Sequence, residues 1–167
     1  MAENILHILS KIPLFNGLNN DELKIILNLC QSIKTDAKEV LFKESDPSHE
    51  MYILLSGEIK LSTQKSGTIF TLGNCDIFGE IGLITQRTRS ASAVSLCESS
   101  LLCIHHIEFN LLAGKHPRIF SILMKNISTN LANHVIRMNN APLDHIPDDS
   151  DSKTQNTSKH VLSTTQE

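Results

Sequence analysis

The sequence predicts a mainly β domain, an antiparallel sandwich or barrel held between helical ends. Three observations carry this. Apolar residues recur every second position from about residue 31 to 105, they recur every three or four positions before and after that stretch, and glycines and polar loops cut the middle into short runs. At 167 residues the chain is long enough to bury a core without disulfides or metals.

The front end reads as helix, turn, helix. In "FNGLNNDELKIILNLC", Gly17 suits a turn, Asn19 or Asn20 an N-cap, and Asp21 and Glu22 the first turn, where the helix dipole favours acids. Leu23, Ile26, Leu27 and Cys30 then share one apolar face, which marks Cys30 as a buried structural thiol.

The strand runs are "EVLFKE", "MYILLSGEIKLST", "TIFTLG", "SASAVSL" and "SLLCIHH", punctuated by Gly57, Gly67, Gly73 and the loop "ESDPSHE". "LSGEIKL" has the form of a hairpin with Gly57 in its turn. Past the strands, "HIEFNLLAG" is expected to make one or two helical turns closed by Gly114, and Pro117 to open a longer helix ending near Asn139. Ile119, Leu123, Ile127, Leu131, Val135 and Met138 would form one stripe along it.

Residues 1–140 are therefore expected to be one folded domain. Residues 141–167, rich in Ser, Thr and Asp with two prolines, are expected to be a disordered acidic and polar tail, because they hold too little apolar surface to offset the entropy of ordering. Of the 18 acids and 15 basic residues, the tail holds five acids (Asp144, Asp148, Asp149, Asp151, Glu167) and two lysines, which leaves 13 of each in the rest. A balanced domain lacks the electrostatic footprint of a nucleic-acid binder.

Cys30, Cys75, Cys97 and Cys103 form no CxxC group, Glu3 stands where a secretory signal would carry positive charge, and no run approaches the length of a membrane span. The expectation is a cytoplasmic protein with reduced thiols and no membrane partner.

The chemistry concentrates in "FGEIGLITQRTRSASAV", residues 78–94. Gly79 and Gly82 would let the backbone approach a ligand closely, a short helix over residues 80–84 would present free N–H groups, Arg89 offers a bidentate fork to an anion, and Ser90 adds a hydroxyl. Those parts suit one phosphate. Glu80 suits it only if the ligand also presents a hydroxyl donor, and a 3′,5′-cyclic nucleotide joins a phosphate and a ribose 2′-hydroxyl in that way.

With Phe78, Gly79, Glu80, Leu83, Arg89, Ser90 and Ala91 in this order, the stretch resembles the phosphate-binding cassette of the cyclic nucleotide-binding domain family, which includes the bacterial catabolite activator protein and protein kinase A regulatory subunits. The likeness extends over roughly residues 1–139, through "PLFNGLNNDEL", "MYILLSGEIKL", "LGNCDIFGE" and "HIEFNLLAGKHPRIF". It implies an eight-stranded antiparallel, jelly-roll-like β-roll with N-terminal helices and a long C-terminal helix. It further implies that Arg89 pairs with phosphate, Glu80 accepts the ribose hydroxyl, Ser90 and Ala91 touch the phosphate, Gly79, Ile81 and Gly82 cradle the sugar and phosphate, and Asn133 or His134 reads the base. Many relatives carry Gly in the loop before the central strands, where this chain reads "KESDPSHEMY".

The resemblance implies a receptor for cyclic AMP, with cyclic GMP as the alternative, that moves its C-terminal helices and passes the signal to an unidentified effector protein or a homodimer formed through helix 117–139. Two other readings stand beside it. One is a β-roll interaction module that has lost its ligand, with Glu80 and Arg89 paired to each other. The other is a redox or metal sensor, for which Cys103, His105 and His106 are the tempting cluster although strand alternation splits them, so no metal is expected. Neither a second carboxylate placed to act with Glu80 nor a nucleophile with an adjacent base appears, so catalysis is not expected.

Overall fold

In a computed structural model, which describes residues 2–139, eight strands and five helices follow one another as the periodicities require. The tail 141–167 and the domain limit at residue 140 lie outside the described residues. Helix α1 (Ala2–Leu9), a 3-10 turn (Pro13–Phe15) and α2 (Asn20–Leu29) precede the strands. Asn19 caps α2: its side chain accepts the N–H groups of Asp21 and Glu22 at 3.0 Å, and its own N–H donates to Glu22 at 2.9 Å.

The strands are β1 (Gln31–Thr35), β2 (Val40–Phe42), β3 (Glu50–Ser56), β4 (Ile59–Thr63), β5 (Gly67–Leu72), β6 (Ile77–Phe78), β7 (Ser92–Ser95) and β8 (Ser99–His105), with the short helix α3 (Glu80–Thr85) between β6 and β7. Helices α4 (His106–Lys115) and α5 (Pro117–Asn139) close the described chain. All strand pairs are antiparallel, in two four-stranded sheets ordered β1-β8-β3-β6 and β2-β7-β4-β5.

The hairpin expected at Gly57 does not form. β3 pairs with β8 and β6, whereas β4 pairs with β5 and β7, so Gly57 carries the chain from one sheet to the other. The reason is burial. Met51, Tyr52, Ile53 and Leu54 are all buried, which requires neighbours on both edges and cover on both faces, and a two-stranded ribbon cannot supply that. Gly57 turns with φ +112, and a Cβ there would stand 2.1 Å from Ser99 Oγ.

Strand alternation divides the core in two. Tyr52, Leu54, Leu101, Ile59, Leu72, Phe42 and Phe78 fill the space between the sheets. Met51, Ile53, Leu102 and Ile104, on the other face of the first sheet, pack against Leu23 and Ile26 of α2, Phe109 and Leu112 of α4, and Ile119, Leu123 and Ile127 of α5. The expected stripe on α5 is thus split: its first half is buried in this helical core, while Val135 and Met138 remain 56% and 55% exposed. Asn126 fastens the first half by donating to the carbonyls of Leu14 at 2.8 Å and Asn16 at 3.0 Å.

Two smaller expectations shift. α4 runs through Gly114 to Lys115, and the break before α5 falls at His116, because Pro117 disfavours a helical residue before it. The loop before β3 turns at Ser45 with φ +72, the backbone region that glycine adopts without steric cost. Replacing Gly57 by Ala is expected to lower the unfolding free energy by about 2 kcal/mol or more, from left-handed strain plus the Ser99 clash. Urea titration reads this, and an unchanged midpoint would contradict the crossover geometry.

Candidate functional site

β6 runs only two residues beside β3 before Gly79, at φ +79, turns the chain into α3. This turn brings Glu80 to the start of α3 with 3% of its surface exposed and sets the carbonyl of Gly79 toward Arg89. Gln86, at φ +54, ends α3 and starts the return to Arg89. Besides lining the cavity, the two glycines of this segment have a packing role. A Cβ on Gly79 would come within 2.6 Å of Arg89 Nη1, and one on Gly82 within 1.7 Å of Ser48 Oγ, so both let α3 lie against the loop and strand that hold the arginine.

Arg89 is 4% exposed. Its backbone is pinned by the loop before β3, through Arg89 N–H to the Asp46 carbonyl and Ser45 N–H to the Arg89 carbonyl, both at 2.9 Å. Its side chain is held by Glu50: Nη1 donates to the Glu50 carbonyl at 2.7 Å and Nη2 to the Glu50 carboxylate at 2.6 Å, while Nη1 also reaches the Gly79 carbonyl at 3.4 Å. The Tyr52 hydroxyl donates to the same Glu50 oxygen at 2.9 Å. Glu80 and Arg89 therefore do not pair with each other; Glu50 holds that place.

A guanidinium has five N–H donors. Three are used on Glu50 and Gly79, and Nε is buried without a partner. The edge formed by Nε and the second hydrogen of Nη2 is thus left for a ligand, and a buried donor without a partner costs about 1–3 kcal/mol until something fills it.

Arg89, Glu80, Gly79, Ile81, Gly82, Ser90 and Ala91 line one cavity of about 370 Å³, a size typical of small-molecule sites. Leu61, Thr63, Ile69 and Phe70 form its wall on the second sheet, and Leu131, His134, Val135 and Met138 cover it from α5. Asn133, the other candidate base reader, is exposed and borders a separate cavity with Asp76 and Asn130. His134 thus lines the cavity that holds Arg89 and Glu80, while Asn133 borders the other one.

Burial pushes the Glu80 carboxyl up to about 7. His134 lies against the Phe70 ring, 5.0 Å between centroids, with Nδ1 3.9 Å from the Glu80 carboxylate. Burial moves its imidazole below the ordinary range, Arg137 adds to that, and Asp76 opposes it. The fixed positive charge of the cavity is Arg89, already balanced by Glu50 from the far side.

Glu50, Tyr52 and Phe42 were not singled out by the sequence reading. Glu50 had one visible signal, an acid that opens the apolar run "MYILL" of a strand buried on both faces. Of the sensor cluster, Cys103 is buried between the sheets, where burial pushes its thiol up to about 11, His105 is the N-cap of α4, and His106 starts the helix. Among the described residues no group of three or more His, Cys, Asp or Glu is placed to hold a metal ion, and no helix is long and apolar enough to cross a membrane.

The model of the cyclic nucleotide-binding domain matches residues 33–116. The cyclic AMP receptor protein of Thermus thermophilus is 29% identical over 111 residues, covering 64% of this chain and 51% of that protein. Among solved structures, a cyclic nucleotide-binding domain from Methylobacillus flagellatus superposes with a TM-score of 0.73 at 24% identity, over 82% of this chain and 79% of the other, a likeness of fold. The regulatory domain of Toxoplasma gondii protein kinase A, crystallised with cyclic AMP, gives 0.60 at 28% identity, over 66% and 43%. The chain spans about half the length of the receptor protein and 28% of a potassium channel relative from Rhodopseudomonas palustris.

The Glu80 carboxyl supplies a test of the site's electrostatics. Its pKa is raised on folding, so folding binds a proton there and the contribution to stability is full below the unfolded value of 4.5 and lost as pH rises toward 7. Glu80→Gln is expected to raise stability by up to about 3 kcal/mol at pH 8 and little at pH 4. Urea unfolding at the two pH values measures this; equal effects at both would show that Glu80 is not desolvated.

Proposed function

This chain belongs to the cyclic nucleotide-binding domain family, and from that membership we propose that it is a receptor for a 3′,5′-cyclic nucleotide, cyclic AMP ahead of cyclic GMP, that signals by moving its C-terminal helices. The observation that carries the reading is the unused edge of Arg89 beside the buried Glu80 carboxyl in a cavity partly covered by α5. The phosphate takes the Nε and Nη2 donors, with Ser90 and Ala91 at its rim. The ribose 2′-hydroxyl donates to Glu80 as the chain turns through Gly79, Ile81 and Gly82. The base lies between Phe70, Ile69 and Leu61 on one side and Leu131, Val135 and Met138 on the other, with His134 at its edge.

The preference for adenine rests on what the wall lacks. Guanine presents two adjacent donors that adenine does not, and Glu80 is the one carboxylate among the described lining residues. Guanine would leave polar groups short of partners, at about 1–3 kcal/mol each. The relatives named for cyclic AMP, in Thermus thermophilus and Toxoplasma gondii, support the same choice.

The work is binding and conformational change, with no catalysis. The first half of α5 is anchored in the helical core while the second covers the cavity, and the chain bends at His116 and Pro117. Filling the cavity changes what the second half rests on. Val135, Ile136 and Met138, each more than half exposed, form the surface on which an effector protein or a second copy would read that change, in the cytoplasm and without nucleic acid.

Isothermal titration calorimetry with cyclic AMP and cyclic GMP tests the reading. Micromolar or tighter binding is expected, with cyclic AMP the tighter ligand, and Arg89→Ala should weaken it by at least about 30-fold, the lower end of the effect of removing one partner of a buried charge pair. Near-normal affinity in a folded Arg89→Ala protein would remove phosphate from Arg89.

A further inference from the structure

Arg89 is fixed in its own plane by Glu50, but hydrogen bonds along one edge leave a flat guanidinium free to tilt. A second contact removes that freedom. Arg89 Cζ stands 4.0 Å from the centroid of the Phe42 ring and 5.6 Å from that of Tyr52. Phe42 is the last residue of β2, where the register with β7 shifts between Val40 and Phe42, an irregularity that re-aims a side chain. Its ring is itself held, 5.8 Å from Tyr52 and 6.1 Å from Phe78, which lie 5.1 Å apart at 15°. It is 9% exposed and lines the nucleotide cavity.

We infer that Phe42 is a positioning residue for anion binding, its ring face holding the plane of Arg89 so that the edge left free by Glu50 is presented to the ligand. The inference rests on the cyclic nucleotide reading for its ligand, while the contact itself is independent of any ligand. A π-face under a guanidinium is an electrostatic contact as well as a packing one, and it is strongest where water is excluded. Phe42→Leu keeps an apolar side chain in the core and removes the face.

The test is a double-mutant cycle on cyclic AMP affinity by calorimetry, with wild type, Phe42→Leu, Arg89→Gln and the double variant. Phe42→Leu should weaken binding about tenfold in the Arg89 protein, the scale of a desolvated cation–π contact, and by less than twofold in the Arg89→Gln protein. Equal losses in both backgrounds would reduce Phe42 to packing and overturn the inference. Phe42→Met serves if the leucine variant melts early.

A second readout needs no ligand. In the ¹⁵N-labelled protein the Arg89 Nε–H proton should carry a ring-current shift that moves downfield in Phe42→Leu; no movement would overturn the contact. If wild type binds neither cyclic nucleotide and the ring-current shift is present, the cyclic nucleotide reading fails while the Phe42 contact stands. If wild type binds and Phe42→Leu binds equally well, only the inference fails.

Discussion

The site depends on one interaction, the clamp that Glu50 closes on Arg89. Its carbonyl and its carboxylate take both terminal nitrogens of the guanidinium, at 2.7 and 2.6 Å. Everything around the arginine is arranged to permit that. Gly79 has no Cβ to strike Nη1, the loop at Ser45 and Asp46 grips the Arg89 backbone, and Tyr52 steadies the Glu50 carboxylate. An ion pair with one buried partner, as here, is weak evidence of net stability, yet removing Glu50 would strand the buried Arg89 charge. The clamp is better understood as a device for fixing geometry: it keeps a permanent cation beneath a cavity and leaves one edge of it unsatisfied.

Glu80 completes the arrangement by staying apart from that cation. Desolvation holds its proton to near neutrality, so the cavity is not lined by a full negative charge that would oppose an anion. The two halves of α5 divide the remaining labour. One is part of the helical core with Ile119, Leu123 and Ile127, and the other rests on the cavity through Leu131, His134, Val135 and Met138. A helix anchored at one end and lying over a cavity at the other is the arrangement that the proposed signalling by movement of the C-terminal helices would use.

Much of this was legible in the sequence, where local rules apply. The Asn19 cap, the start of α5 at Pro117 and the short helix after Gly79 follow from residues a turn apart. Family resemblance placed Glu80 and Arg89 at the site, and the structure brings both to one cavity. What failed was long-range. The run around Gly57 has the local signature of a hairpin, and only the burial of β3 on both faces, a property of the whole roll, decides for the crossover. Glu50, 39 residues from Arg89, and Phe42 were invisible for the same reason, since strand pairing and not spacing brings them to the guanidinium. Asn133 and His134 were inseparable until the rotation of α5 over the roll was known.

A crystal structure of the complex with cyclic AMP tests the central claim most directly. The account predicts a phosphate oxygen within hydrogen-bond distance of both Arg89 Nε and Nη2, with Glu50 still holding Nη1 and Nη2 from the other side. A phosphate that displaces Glu50 from Arg89, or one bound away from the Nε edge, would contradict it.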